Sequence, residues 1–92
     1  MIEIKEAVGI AKDSLVSLMG RNSLSDIRLE EVEVETIEPD ADVFVNYWLV
    51  TLSYLPKEID PLESINNQRI FKTFRLFAET GELVSMKIRE LA

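Results

Sequence analysis

Ninety-two residues make one domain, and a chain that short buries only about 60 to 65% of its unfolded surface, enough for a single modest core. Apolar residues at 47% and charged residues at 29% exclude a disordered or collagen-like chain. A formal charge of -7 surrounds the domain with negative potential, which argues against nucleic acid and anionic membrane surfaces as partners.

No stretch approaches the roughly 20 apolar residues of a spanning helix. The opening MIEIKEAVGIAKDSL mixes charge into its apolar residues, unlike a secretory leader. A soluble, cytoplasmic protein is therefore expected. With no cysteine, disulfides, thiolate nucleophiles and sulfur-ligated zinc are all absent.

From Ile4 to Met19, the residues Ile4, Ala7, Val8, Ala11, Leu15, Leu18 and Met19 recur at three-and-four spacing and predict an amphipathic helix. Gly20, able to adopt a left-handed conformation, closes it, and Gly9 falls opposite the apolar stripe. Asn22 to Asp26 reads as a polar turn. The following IRLEEVEVETI alternates, but Ile27 and Leu29 are out of phase with Val32 and Val34. That slip at Glu30 and Glu31 implies a β-bulge, or a strand that begins only after it.

Pro39, Asp40 and Asp42 mark a turn. Val43 to Leu55, VFVNYWLVTLSYL, carries no charge and reads as the central strand. Its parity places Phe44, Trp48, Val50, Leu52 and Tyr54 toward the helix and Val45, Tyr47, Leu49, Thr51 and Ser53 away from it. Pro56 to Gln68 is longer than a hairpin loop needs, and its Asp60, Pro61 and Glu63 suggest one helical turn.

The third strand runs from about Arg69 to Ala78 and the fourth from about Glu82 to Leu91. A three-residue loop with Gly81 left-handed in a bulge pairs Leu76 with Val84 and Phe74 with Met86, keeping charge off the apolar face. Val84, Met86 and Ile88 then point inward, and Ser85, Lys87 and Arg89 outward on a cation-blunted edge. The expected fold is α+β: one N-terminal helix packed on a four-stranded antiparallel meander sheet.

Chemistry is sparse. Histidine is absent, no serine sits in a nucleophile elbow, and three glycines build no phosphate loop. No catalytic residue, metal ligand or cofactor site is predicted. Glu30, Glu31, Glu33, Glu35, Glu38, Asp40 and Asp42 crowd thirteen residues. Carboxylates along one strand face repeat every 6.6 Å or so, too far apart for neighbours to share an ion, so a solvated face that resists aggregation is the expectation. A divalent-cation site or a dock for a basic partner is the functional counterpart.

The apolar remainder is more telling. Val45, Tyr47, Leu49, Phe71, Phe77 and Leu83 fall on the outer face, where a half-solvated sheet should be polar. They predict an interaction surface for a homodimer or a protein partner, unless the sheet curls or the long loop covers them.

The C-terminal FRLFAETGELVSMKIREL resembles the closing hairpin of PepSY-type domains. Helix followed by antiparallel sheet is similar to PepSY-like and cystatin-like folds and to small uncharacterised bacterial proteins of that plan. The resemblance implies the fold; PepSY-type domains are commonly extracytoplasmic and associated with protease regulation, whereas no export signal is visible here. The functional expectation is a non-enzymatic binding or interaction module, self-associating through the open sheet face. Two alternatives stay open: a small-ligand pocket or enzyme site built on Trp48, Tyr54 and an inward carboxylate between helix and curled sheet, and an inhibitor or immunity-type protein docking a basic partner.

Overall fold

The computed structural model describes residues 1–57 and 69–89. The periodic N-terminal stretch forms helix α1, Ile4–Met19, and Gly20 ends it at φ +85°, its N–H bonded to the Val16 carbonyl at 2.9 Å. A single 3-10 turn, Arg21–Ser23, leads into strand β1, Leu24–Asp40. Strands β2, Val43–Pro56, β3, Ile70–Phe77, and β4, Leu83–Ile88, complete an antiparallel sheet in the order β1-β2-β3-β4. The helix packs on one face of this meander, the α+β architecture that the patterning predicts.

The small side chains of Ala7 and Ala11 let the helix approach closely, and Leu15 continues the buried stripe. From the sheet, Trp48, Val50, Leu52 and Tyr54 on β2 meet them beside Phe74 and Leu76 of β3. Each large side chain so buried contributes about 1.5 to 3 kcal/mol. The indole N–H of Trp48 donates to the Ile2 carbonyl at 3.2 Å, so the core's one indole carries its polar atom satisfied.

Strand β1 is longer than predicted and begins inside the expected turn. It does so because Asp26 accepts a left-handed conformation, φ +51°, which inserts one extra residue between Ser25 and Arg28 opposite β2. The phase slip at Glu30 is a second irregularity, between Leu29 and Glu31, where the alternation places it. Strand pairing continues through Pro39 to Asp40, and the turn proper is Ala41 and Asp42, the latter at φ +61°. Asp40 and Glu38 act as turn formers, accepting the Ala41 and Asp42 N–H groups at 3.1 and 3.0 Å.

The β3–β4 hairpin departs from the expected register at one residue. Gly81 is left-handed, φ +79°, and Phe74 faces Met86, both as predicted. Leu76, however, faces Leu83 rather than Val84, and a bulge leaves Val84 as the extra, exposed residue. The turn explains this. Phe77 N–H bonds the Glu82 carbonyl at 2.9 Å and Gly81 N–H the Phe77 carbonyl at 2.7 Å, closing the loop earlier. A Cβ on Gly81 would lie 2.7 Å from the Ile10 Cδ1, so the turn is pressed onto the helix. Leu83 therefore belongs to the helix side and packs against the core, not to the outer face.

Helix length sets the reach of the core. Sixteen residues make about 24 Å of helix, whereas fourteen residues of β2 extend over about 46 Å. The helix N-terminus lies near Trp48 and Gly81, and its C-terminus near Lys72, whose ammonium contacts the Met19 sulfur at 3.6 Å. Beyond Asn46, the last β2 residue bonded on the β3 side, β1 and β2 run on together as a two-stranded ribbon. Phe44 is on the predicted inward side, yet it is 63% exposed because the helix does not reach it. Ile88 is exposed for a related reason: one helix leaves the margin of the sheet at β4 uncovered. The helical turn expected around Asp60 to Glu63 and the last residues of the fourth strand lie outside the described residues.

Candidate functional site

The face of the sheet turned away from the helix is laced by side chains that cross strands. Arg75 on β3 donates to Glu35 on β1 at 2.7 Å and its guanidinium stands 5.2 Å from the Tyr47 ring centroid on the strand between them. Arg89, just past β4, pairs with Glu31 on β1 and approaches the Thr51 hydroxyl at 3.4 Å. Arg69 donates to the Asp26 carbonyl and to the Ser53 hydroxyl, both at 2.9 Å, and pairs with the Asp26 carboxylate. Ser53 in turn donates to Glu30 at 2.7 Å, and the Thr51 and Thr73 hydroxyls share a 2.9 Å bond.

Three arginines from the second half of the chain thus engage three carboxylates from the first. This corrects the expectation of a solvated acidic face: Glu31 and Glu35 are paired and Glu30 is hydrogen-bonded, while Glu33 stays exposed. The pairing has an electrostatic signature. The hydrogen bond from Arg28, with the charges of Arg28 and Arg69, holds the Asp26 carboxyl below its ordinary range, and the Arg89 guanidinium does the same to Glu31. Arg89 itself is raised by Glu31. Among the described residues no group of Asp and Glu side chains converges as a metal site requires.

The six residues of the predicted interaction surface do not form one patch. Tyr47 and Phe77 pack together, ring centroids 5.3 Å apart, and with Val45 they mark the ribbon end of the outer face. Leu49 lies lower, in a shallow hollow of about 110 Å³ with Thr73, Arg75, Ser85 and Lys87. Phe71 is further down, opposite Ser53. Leu83 is on the other face, in a hollow of about 430 Å³ beside Ile10 and Leu18. All six are half-buried. Thr51 and Ser53, expected to face solvent, are buried.

Trp48 and Tyr54, the anchors considered for a pocket between helix and sheet, are packed into the core, and desolvation raises the Tyr54 hydroxyl above its ordinary value. The more open site lies where the ribbon leaves the body. There Phe44, Val45 and Phe77 line a groove of about 380 Å³ whose rim carries Glu79 and Glu82. Ile37, Val43 and Phe44 on the ribbon are all exposed. Outward parity finds Val45 and Phe77, but Phe44 becomes visible only when helix length is set against strand length.

No family model, curated protein or solved structure matches the chain. No helix among the described residues is long and apolar enough to cross a membrane.

Proposed function

We propose that this chain is a small, cytoplasmic, non-enzymatic interaction module, and that it works by presenting the β1–β2 ribbon to another protein. The observation that supports this is the exposure of Ile37, Val43 and Phe44 on a two-stranded extension. An isolated two-stranded ribbon is at best marginally stable in water, and exposed large apolar side chains on one gain most from a covering partner. The missing histidine and cysteine agree with binding rather than turnover.

Differential capture tests it. Tagged wild-type protein and an Ile37→Ser, Val43→Ser, Phe44→Ser variant are incubated with extract of the cell that makes the protein, beside a Lys12→Glu control from the exposed helix face. Proteins retained by wild type and control but lost by the ribbon variant support the reading; identical retention by all three overturns it.

Self-association is the second reading. It is favoured by the Tyr47–Phe77 pair and by Val45, half-buried apolar groups next to the ribbon on the outer face. Sedimentation equilibrium at micromolar concentration decides it: a dimer that Tyr47→Glu with Leu49→Glu dissociates supports it, and a monomer ends it.

A further inference from the structure

We infer that the groove at the base of the ribbon takes a short, extended, cationic segment of a partner protein whose alternate side chains are apolar, added as a strand along the free edge of β2. This rests on the reading of the ribbon as a binding element and names the chemistry of what it binds.

The first support is the backbone. Strand β3 ends at Phe77, and the last bond to β2 is from the Ala78 N–H to the Asn46 carbonyl at 2.9 Å. In an antiparallel ladder every second residue turns its N–H and C=O to the same side. Phe44, two residues further on, therefore directs both groups to the side from which β3 has turned away into the Ala78–Gly81 turn. An open strand edge of this kind receives an added strand, with main-chain bonds for affinity and flanking pockets for side-chain choice. The second support is the pocket itself: Phe44, Val45 and Phe77 offer apolar walls at that edge.

Charge decides the occupant. From Leu29 to Pro56 the sequence holds seven carboxylates and neither lysine nor arginine. Arg69, Arg75 and Arg89 are engaged with Asp26, Glu35 and Glu31 on the outer face. Glu38, Asp40 and Asp42 on the ribbon and Glu82 on the rim have no cationic side chain paired with them among the described residues, while Glu79 meets only the amino group of Met1, at 3.2 Å. A second copy would set its own carboxylates against these, and like charges at close range oppose association. A segment of alternating cationic and apolar residues matches both the rim and the walls.

The test is an amide-resolved NMR titration of the full chain with three capped hexapeptides: alternating Lys and Val, alternating Glu and Val, and alternating Lys and Ser. The expected result is that the Lys-Val peptide shifts the amides of Phe44 to Asn46, Phe77 and Glu79 to Glu82. Its binding weakens about fivefold or more between about 50 and about 500 mM salt, and about tenfold in Phe44→Ser, a change at an exposed site that leaves the fold intact. The Lys-Ser peptide binds more weakly and loses nothing in Phe44→Ser. If the Glu-Val peptide shifts the same amides as strongly, the cationic partner is overturned while the ribbon remains a binding element. If the same amides shift on concentrating the protein alone, the occupant is a second copy and the proposal falls. If no peptide and no concentration moves those amides, the ribbon reading falls with it.

Discussion

Arg89, at the end of the last strand, is ion-paired with Glu31 on the first, across the two strands between them. Three strand spacings make about 14 Å, so both side chains must lie flat along the outer face, and Thr51 beneath them is buried. The pair ties the sheet's two margins together without a backbone contact between them.

A pH dependence follows. Glu31 is held below its ordinary value of 4.5, chiefly by the Arg89 hydrogen bond. A carboxyl depressed in the folded state adds stability above its unfolded pKa and loses it as pH falls through the folded one. The difference in melting temperature between wild type and Arg89→Met should therefore favour wild type and stay constant at neutral pH. It should shrink toward zero as pH falls below about 4.5. Taking the difference removes the contribution of the carboxylates that Arg89 does not act on, which both proteins share. A difference that grows in acid would contradict the pairing.

How legible this was depended on the range of the interaction. The helix from Ile4 to Met19 and the slip at Glu30 were readable because periodicity is local and each bulge changes it by one residue. The pairing of Arg75 with Glu35 and of Arg89 with Glu31 was not, since it depends on the register of β3 against β2 across a long connection and on arms that cross strands. Phe44 was misplaced for a third reason: alternation reports which side a residue faces, but not whether anything stands there. Val84 and Leu83 exchange roles because the Phe77–Glu82 and Gly81–Phe77 bonds close the turn one residue earlier, a choice that alternation along the strands does not report.

Lys72 offers a test of burial on the helix side. It is 8% exposed, opposite Leu52 and Ile88, with the Met19 sulfur as its partner. Among the described residues that sulfur is the ammonium's partner, and a thioether is a weak acceptor. Lys72→Met keeps the hydrocarbon stem and removes the charge, and should raise the unfolding free energy by about 1 kcal/mol. Lys72→Ala discards the stem as well and should lower it by about 1 to 2 kcal/mol. Urea denaturation at pH 7 reads both, and a loss of stability in Lys72→Met would show that the ammonium is held by more than the sulfur.

Thr51 and Thr73 stand directly opposite on β2 and β3, hydroxyls 2.9 Å apart. Thr51→Val strands the Thr73 hydroxyl, and Thr73→Val leaves Thr51 with only its long 3.4 Å contact to Arg89, so each should cost about 1 kcal/mol. The double Thr51→Val, Thr73→Val variant puts two β-branched apolar groups in contact and leaves no orphan. Its cost should fall short of the sum of the single losses by about 1 kcal/mol in a double-mutant cycle. Strict additivity would mean that each hydroxyl finds another partner when its neighbour is gone.

Two glycines, Gly9 and Gly81, separate space from conformation. Gly9 has nothing within 4 Å of a would-be Cβ and lies in mid-helix, so Gly9→Ala should stabilise by about 0.5 to 1 kcal/mol. Gly81 has both problems at once: φ +79° and a Cβ position 2.7 Å from Ile10. Gly81→Ala should cost about 2 kcal/mol, a fall in melting temperature of about 10 °C for a domain of this size. Pairing it with Ile10→Val relieves the collision but not the backbone, and should return only part of the loss. Measured against Ile10→Val alone, full recovery would place the whole cost in the Ile10 contact, and no recovery would place it in the left-handed turn together with the Ile2 Cδ1, 3.2 Å from the same Cβ position.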